Sequence, residues 1–327
     1  MRIGWQPAMN SRSTQLLRCL KRLYRSTLHC WAETMTKASP LVIVPLSGGL
    51  GNQIWQYAVG MGTQLVSGLP VKFGMDWYRK FGLDIQRKER RDFELLRTFP
   101  TLRMELAEAG EEAFFRRYYY YEPKYFSVFD SVVYNSPKAR YIGGFCANSQ
   151  YLSVLPAEFW NQFSFADDVV RRNEALAQRI AGTISTAVHV RGGDYIGSMH
   201  DVITINYYRK AIDILQKSLG RQDVTFYIFS NDPMLCRNFF PEPGENIHFL
   251  CEDMGRSPAD DLYLMTQCRH HIIANSTLSW LGAWLCDNPL KTVIMPETWF
   301  NRKAPSYIRR GSETAFRVDG WINLAVD

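Results

Sequence analysis

Residues 41–58 read LVIVPLSGGLGNQIWQYA, and this stretch combines a strand, a tight turn and the start of a helix. The first seven residues are mostly apolar and stop at a glycine cluster, which is typical of a buried strand. Apolar residues then recur at helical spacing along one side, at Ile54, Tyr57, Ala58, Met61 and Leu65. Glycine allows close approach to the backbone, so the turn predicts a ligand lying against it. The turn matches neither GxGxxG nor GxxxxGK[ST], which argues against a standard dinucleotide fold and a P-loop ATPase.

Strand-like and helix-like segments alternate along the rest of the chain. Further strands are predicted at PVKFGM, ARYIGGF, TAVHV, VTFYIFS, IHFL, HHIIA and KTVIMP, and helices at DDVVRRNEALAQRIAG, INYYRKAIDILQKSLG, PMLCRNFF, DDLYLMTQC and TLSWLGAWLC. Residues 85–120 are charged and irregular. Such alternation predicts an α/β fold with parallel sheets and right-handed crossovers.

The alternation falls into two series that meet near residue 180. We therefore predict a basic extension at residues 1–40 and two Rossmann-like domains, at 41–180 and 181–327, with a cleft between them. Ligands of open parallel sheets bind at the carboxyl ends of the strands. That rule selects four loops: SGGLGN, RGGDY, SNDP and NST.

The charge of the chain is unevenly distributed. Its net charge is +6, and seven of its 38 Lys and Arg residues, but only one of its 32 acidic residues, precede Pro40. The remainder is neutral, which argues against nucleic acid as a partner and favours a local anion site. The seven Cys residues are scattered without a CxxC pair, so neither a disulfide framework nor a metal site is predicted.

The first forty residues allow several interpretations. Apolar side chains recur among basic ones within residues 12–31, as in an amphipathic helix that makes peripheral contact with an anionic membrane. A disordered extension, or an upstream start codon with Met35 as the true beginning, fits equally well. No run reaches the ~18 apolar residues of a spanning helix, and the compact apolar core of a signal peptide is missing.

The segment HVRGGDY carries the first candidate site residues. His189 and Arg191 end a buried-looking strand, and strand alternation places both side chains on one face. An Arg at this position can contact phosphate oxygens through two parallel hydrogen bonds. It can equally form a structural ion pair with Asp194, and the residue types alone do not separate the two.

The segment NSTLSW carries the second candidate site. It joins the strand HHIIA to an apolar helix, so Asn275, Ser276 or Thr277 is expected to cap that helix. The hydroxyl groups here exceed what capping needs, and a helix start favours anions, so a phosphate or diphosphate is the predicted ligand.

Asp261 begins the helix that precedes the NST loop. A carboxylate there compensates the helix dipole, and it can also accept paired hydrogen bonds from a guanine edge. Asp253 and Asp260, by contrast, are expected to be solvated.

Four segments in this order resemble the α-1,2-fucosyltransferases of glycosyltransferase family 11: GGLGNQIWQYA, HVRGGDY, FSNDP and DLYLMTQCRHHIIANSTLSWLGAWL. The resemblance extends from about residue 41 to about residue 300. It implies a GT-B-like fold and an inverting, metal-independent enzyme without a cofactor. Such an enzyme transfers fucose from GDP-β-L-fucose to the 2-hydroxyl of a terminal β-galactoside, with the acceptor on the N-terminal domain and GDP-fucose on the C-terminal one.

The resemblance also implies a donor-binding set: Gly51, Asn52, His189, Arg191, Asp261, Ser276 and Thr277. Within it, His189 and Asp261 face guanine, while Arg191 and Thr277, with its neighbouring serine, hold the diphosphate. The glycine and the asparagine of the first turn close the other side, between the nucleotide-sugar and the acceptor.

The chain departs from the family pattern at three places. Gly192 stands where a second Arg is usual, Asn231 stands where an acid is common, and the usual pair of Trp residues is Trp280-Leu281. If the missing Arg shapes the loop, either affinity falls or another Lys or Arg replaces it.

The transition state of such a transfer is oxocarbenium-like, with negative charge growing on the departing GDP, so Arg191 and the helix start are the expected catalytic groups. The base for the acceptor hydroxyl stays open among Asp194, His200 and Asp201. A loose transition state needs little help from a base.

Two other functions stay open: a GT-B transferase with another nucleotide-sugar or linkage, and a non-catalytic nucleotide-binding or membrane-peripheral protein. No anchor and stem of a Golgi enzyme are visible in the sequence. We expect a cytoplasmic bacterial enzyme of surface-glycan (O-antigen) synthesis, acting at the inner membrane face on a lipid-linked glycan or an oligosaccharide acceptor.

Overall fold

The computed structural model describes residues 40–326 except 81, 84–89, 136–137, 242–243 and 254, together with Leu20, Tyr24 and Thr27. It contains two sheets whose strands are all parallel to their neighbours. The strands of one sheet lie between residues 42 and 142, and those of the other between residues 185 and 324. This confirms the predicted α/β, GT-B-like fold with two Rossmann-like halves.

Each sheet has a point where the direction of strand order reverses. The first contains β1 (Val42–Pro45), β2 (Val71–Gly74), β3 (Tyr120–Tyr121) and β4 (Arg140–Ile142) in the order β2-β1-β4-β3. The second contains β5 (Ser185–Val190), β6 (Thr225–Ser230), β7 (Ile247–Phe249), β8 (His270–Ile272), β9 (Val293–Pro296) and β10 (Ile322–Leu324) in the order β10-β9-β8-β5-β6-β7. The reversals fall beside β1 and β5, and a crevice opens at the carboxyl ends of strands at such points.

Helices connect the strands. Those preceding β5 are α1 (Leu50–Ser67), α2 (Asp76–Lys80), α3 (Leu95–Thr98), α4 (Ala109–Tyr118), α5 (Val132–Asn135) and α6 (Asp167–Ala181). Those following it are α7 (Ile205–Leu219), α8 (Pro233–Phe239), α9 (Pro258–Gln267), α10 (Thr277–Trp284), α11 (Ser306–Arg309) and α12 (Ser312–Ala315). We refer to the first sheet with α1–α5 as the first lobe, and to the second sheet with α6–α10 as the second lobe.

Helix α1 is buried on nearly all sides over its first three turns, not on one side as predicted. It lies between its own sheet and α10 of the second lobe, with the rings of Trp55 and Trp280 in contact at a centroid distance of 5.0 Å. One hydrophobic core therefore runs through both lobes. Leu65, expected on the buried face, is 58% exposed because α1 extends beyond its partners there.

Several elements were not expected from the sequence, among them two strands and one helix. Strands β3 and β10 are short, at Tyr120–Tyr121 and Ile322–Leu324, and too brief to show a period. Helix α4 forms within the segment that appeared irregular, with acidic residues in its first turn and basic ones in its last, which suits the helix dipole. Its Glu112 is fully buried, because its carboxylate accepts hydrogen bonds from the backbone amides of Met75 and Asp76.

Asp260 is buried rather than solvated, so that expectation was wrong. It forms a capping box with Ser257 at the start of α9 and accepts hydrogen bonds of 2.5 Å from both Arg172 and Asn173 of α6. Burial by itself would raise the pKa of Asp260, but these hydrogen bonds lower it to about 2. The carboxylate thus holds α6 against α9.

We expect Asp260→Asn to lower the free energy of unfolding at pH 7 by about 2 kcal/mol, because the native state favours the ionised form. The unfolded pKa is about 3.9, so this contribution is complete above pH ~4 and disappears as the pH falls through the folded value of about 2. Urea unfolding at several pH values measures it. Asp168→Asn is the matched control, since Asp168 pairs with the same arginine but its side chain is 61% exposed; an equal effect of both variants would contradict the prediction.

The predicted amphipathic or disordered extension, and its membrane contact through residues 12–31, lie outside the described residues apart from three isolated positions. No helix in the described part of the chain has both the length and the apolar character needed to cross a membrane. The Cys residues of the described part, Cys146, Cys236, Cys251, Cys268 and Cys286, are all free thiols.

Candidate active site

Arg191 directly follows β5 and lies at the carboxyl edge of the second sheet. Its Nη2 donates a hydrogen bond of 2.7 Å to Asp194 Oδ1, and its guanidinium lies 4.8 Å from the centroid of the Tyr195 ring. This is the ion pair that the second interpretation of HVRGGDY allowed. No described residue accepts a hydrogen bond from the buried Nε of Arg191. The guanidinium is therefore held in place at the strand end, and it keeps an N–H group without an acceptor.

The loop after Arg191 is fixed by the loop after β6. Asn231 accepts a hydrogen bond of 3.1 Å from the amide of Gly192 and donates one of 3.4 Å to its carbonyl. An amide side chain can do both, whereas a carboxylate can only accept. A Cβ at position 192 would lie 2.6 Å from Asp232 Cβ and 2.9 Å from a methyl carbon of Leu235. The larger side chain expected at 192 has no room in this packing.

The glycine-rich turn faces a helix rather than open space. A Cβ at Gly51 would lie 2.5 Å from the backbone nitrogen of Leu278 and 2.8 Å from Thr277 Oγ1. Thr277 in turn donates a hydrogen bond of 2.7 Å to Asn52 Oδ1. Gly51 therefore lets the start of α10 pack against the start of α1, and this packing by itself requires a glycine at the position.

Gly49 is the position of the turn that stays open: a Cβ there would meet no described atom within 4 Å. It is the N-cap of α1, and Ser276 is the N-cap of α10. In the described structure neither helix has a side chain that caps its first turn, although Asn275, Ser276 or Thr277 was expected to cap α10. The positive ends of two helix dipoles thus meet without a side-chain cap, an arrangement that attracts anions.

His200 is linked to Arg191 by the ring of Tyr195, which both side chains contact. Its ring stacks on the Tyr195 ring at a centroid distance of 4.8 Å and packs on Phe300 at 5.1 Å. The Asn275 side chain donates to the carbonyl oxygen of His200 at 2.9 Å, so Asn275 is a loop support rather than a helix cap. Burial is the main cause that lowers the pKa of His200 to about 4. The imidazole is therefore neutral at pH 7 and a weak base.

His189 lies in β5, two residues before Arg191, and Asp261 lies in the first turn of α9. His189 is buried, and no described residue bonds its Nδ1; burial and the Arg191 charge lower its pKa to about 3. Its neighbour across the sheet is Phe229, on which the guanidinium of Arg256 packs at 5.8 Å. Arg256 donates two hydrogen bonds, of 2.6 and 3.1 Å, to Oδ1 of Asp261. Burial raises the pKa of Asp261 to about 6 despite this partner.

Sequence reasoning missed several contributors to this site, above all Arg91, Tyr195 and Arg256. Arg91 and Arg256 lie in charged loops without a period or motif, and Tyr195 ends the HVRGGDY motif without any sign of its contact with Arg191. The ion pair of Arg191 with Asp194 could be inferred from the sequence, but its contact with Tyr195 could not. Within the described residues, no group of three or more His, Cys, Asp or Glu side chains is placed to hold a metal ion.

Comparison with known proteins adds the family. The model of Glycosyl transferase family 11 matches residues 134–325, more than half of the chain. The O-antigen biosynthesis glycosyltransferase WbnK of Escherichia coli is 27% identical over 85% of this chain and 99% of its own length. The α-1,2-colitosyltransferase of Escherichia coli is 26% identical over 80% of this chain and 93% of its length. The galactoside α-(1,2)-fucosyltransferase 2 of Rattus norvegicus is 27% identical over 49% of this chain and 51% of its own length.

A crystal structure of NodZ α-1,6-fucosyltransferase co-crystallised with GDP aligns over 76% of this chain and 93% of that one, with 12% identity and a TM-score of 0.45. The family match covers β5, the RGGDY loop, α9 and the start of α10, where the site residues of the second lobe lie. The resemblance inferred from the four motifs is thereby confirmed: this chain is a glycosyltransferase and belongs to glycosyl transferase family 11.

Proposed function

We propose that this protein is an inverting galactoside 2-α-L-fucosyltransferase, which transfers L-fucose from GDP-β-L-fucose to the 2-hydroxyl of a terminal β-galactoside. Membership of the family supports the proposal, as do the names of the relatives, one an O-antigen glycosyltransferase and two with α-1,2 specificity. A bacterial surface glycan, built on an oligosaccharide or lipid-linked acceptor with peripheral membrane contact, is part of this proposal.

The observation that carries it is the meeting of the two helix starts beside Arg191. Gly51 of α1 contacts Thr277 and Leu278 of α10 at the carboxyl edges of the two sheets, and no side chain caps either first turn. Arg191 brings a full positive charge to the same edge. A nucleoside diphosphate is the leaving group whose charge this arrangement complements.

The proposed reaction is a single displacement at C1 of fucose. The bond between C1 and the β-phosphate oxygen breaks, and its electron pair stays on the phosphate. The acceptor oxygen attacks from the opposite face, bonds to C1 and releases its proton. Arg191 and the helix amides stabilise the growing phosphate charge before and during this step, without a metal ion in the scheme.

None of the three residues considered, Asp194, His200 and Asp201, is a strong base for the proton of the acceptor hydroxyl. Asp194 is engaged by Arg191, Asp201 accepts a hydrogen bond of 2.8 Å from the amide of Gly197, and His200 has a pKa of about 4. Proton loss therefore follows, rather than drives, attack on the oxocarbenium-like centre. His200 acts in this scheme through its contact with Tyr195, below the guanidinium of Arg191.

Guanine is proposed to lie against His189 and Asp261. Both hydrogen bonds from Arg256 end on Asp261 Oδ1, which leaves the other oxygen to accept from the N–H edge of the base. Arg256 is only 9% exposed and holds that carboxylate in position. Neutral His189 can supply or accept one further hydrogen bond.

Asp261→Asn is expected to abolish the preference for GDP over inosine diphosphate, which lacks the 2-amino donor. In the native protein GDP should bind about 10-fold more tightly, the value of one hydrogen bond to a charged group. Because the pKa of Asp261 is about 6, the carboxylate is protonated below that pH and this preference should weaken from pH 7 to pH 5. Calorimetric titration with both nucleotides measures it.

The control for this experiment is Asp223→Asn, which alters an exposed carboxylate paired with Arg221. Titration of the phosphate groups affects both nucleotides equally and cancels in their ratio. A preference that survives in the Asp261 variant, or that is flat across this pH range in the native protein, would rule out guanine recognition by Asp261.

The proposed activity is tested by incubating the protein with a panel of nucleotide-sugars and β-galactosides in the presence of a chelator, with mass spectrometry and linkage analysis of the product. We expect α-1,2-linked fucose from GDP-fucose alone. Colitose is the second candidate donor sugar, favoured by the α-1,2-colitosyltransferase relative. A different linkage, another preferred donor or dependence on a metal ion would each refute the corresponding part of the proposal.

A further inference from the structure

Asp194 is contacted by arginines from both lobes. Arg191 of the second lobe binds its Oδ1 at 2.7 Å, and Nη2 of Arg91, from the first lobe, lies 3.9 Å from its Oδ2. The Asp194 side chain is only 8% exposed, and that of Arg91 is 23% exposed. One buried carboxylate thus gathers two guanidinium groups at the mouth between the lobes.

The backbone of Arg91 is anchored to the glycine-rich turn. Gln53, fully buried in the first turn of α1, donates to the carbonyl oxygens of Gly48 and Asp92 at 3.1 and 2.9 Å. The same side chain accepts from the amides of Glu94 and Leu95 at 2.9 Å. These four hydrogen bonds fix the segment that follows Arg91 against the start of α1. The chain segment that carries Arg91 is therefore held beside the uncapped start of α1.

The second lobe cannot supply a second cation from the loop itself. A side chain at position 192 would collide with Asp232 and Leu235, and the remaining loop residues up to Tyr195 are a glycine, an acid and the tyrosine. A diphosphate ester carries about two negative charges at neutral pH, more than Arg191 alone neutralises. The first lobe brings the guanidinium of Arg91 to this carboxylate.

We propose that Arg91 is the second cationic ligand of the nucleotide diphosphate, so that the leaving group is bound by one arginine from each lobe. This inference rests on the proposed function for the presence of a diphosphate at Arg191. Asp194 holds both guanidinium groups beside the place of the ligand, and the diphosphate draws them together across the mouth. Binding of the donor then couples the two lobes.

The alternative interpretation of the same contact is a structural ion pair between the lobes with no role in ligand binding. The two interpretations differ in which ligands lose affinity when the charge of Arg91 is removed. Arg91→Met keeps the aliphatic stem and removes the guanidinium, and binding of GDP, GMP and guanosine can be compared in calorimetric titrations. We expect affinity for GDP to fall about 10- to 100-fold, affinity for GMP to fall less, and affinity for guanosine to stay unchanged.

Arg90→Met is the matched control, because Arg90 is the adjacent arginine, is 75% exposed and lies 4.0 Å from the equally exposed carboxylate of Asp92. Arg91→Lys, which retains the charge, guards against a variant that does not fold, and it should lose less GDP affinity than the Met variant with the same order of ligands. An equal loss for all three ligands, or none, would overturn the inference.

The outcome for the native protein separates this inference from the proposed function. If it binds a different nucleoside diphosphate, the GDP-fucose proposal fails, and the same variants tested with that nucleotide decide the role of Arg91. A native protein that binds no nucleoside diphosphate overturns both.

Discussion

Arg191→Ala is expected to lower kcat with GDP-fucose by about 100-fold or more. Removal of one preorganised donor to a developing negative charge costs ~3 kcal/mol, and each ~1.4 kcal/mol is a factor of ten in rate. Arg191 fits this role because its guanidinium is fixed by Asp194 and Tyr195 before any ligand arrives. Steady-state kinetics with a saturating β-galactoside acceptor gives the value.

Two further variants test whether the loss of rate is specific to the guanidinium of Arg191. Arg191→Lys keeps a charge but not the planar fork, and we expect an intermediate rate. Arg221→Ala removes an exposed arginine that pairs with Asp223 and should leave kcat unchanged. Since Asp194 loses its close partner in the alanine variant, thermal unfolding of each protein should accompany the kinetics. A folded Arg191→Ala enzyme with the native rate would exclude the proposed role.

Gly51→Ala is expected to disrupt the junction of the lobes. The new Cβ would lie 2.5 Å from the nitrogen and 2.8 Å from the Cα of Leu278, and these are backbone atoms that no rotamer change can move aside. Overpacking of this kind costs about 1–3 kcal/mol of unfolding free energy. The start of α10 must also shift, and a displacement of about 1 Å at a catalytic site can cost ~100-fold in rate. Urea unfolding and kcat measure the two effects.

Gly49→Ala is the matched control from the same turn. Gly49 has φ −80°, which any residue adopts, and no described atom lies within 4 Å of the Cβ it would gain. Its unfolding free energy should stay within about 0.5 kcal/mol of the native value. If Gly51→Ala were as harmless as Gly49→Ala, the close packing of α1 on α10 would not be what demands glycine at position 51.

Most strands and the long helices could be predicted from the sequence, whereas β3 and β10 could not. Strand β5 is a run of six buried residues and α7 is an amphipathic helix of fifteen, so each is visible in the local pattern. Strands β3 and β10 are two and three residues long and are held by pairing with β4 and β9. Such pairing depends on a distant neighbour, which leaves no trace in the local pattern.

The candidate site shows the same division. That Arg191 and Thr277 follow strands, and thus lie at ligand-binding edges, could be read from the order of segments and the rule for parallel sheets. The burial of Asp260 could not be predicted, because it depends on Arg172 and Asn173 of another helix. The same holds for Asp261, whose raised pKa and partner Arg256 arise from packing around the strand ends.

The sequence by itself was enough to establish two α/β lobes with parallel sheets, four loops at the carboxyl ends of their strands, and the family. These features depend on local periodicity and on the order of motifs. The folded molecule was needed to reveal that Gly51 makes room for a helix and that Asp194 is met by an arginine from each lobe. Contacts such as Thr277 to Asn52 join residues 225 positions apart. No local preference encodes such a meeting, because it exists only once both lobes have packed on a shared core.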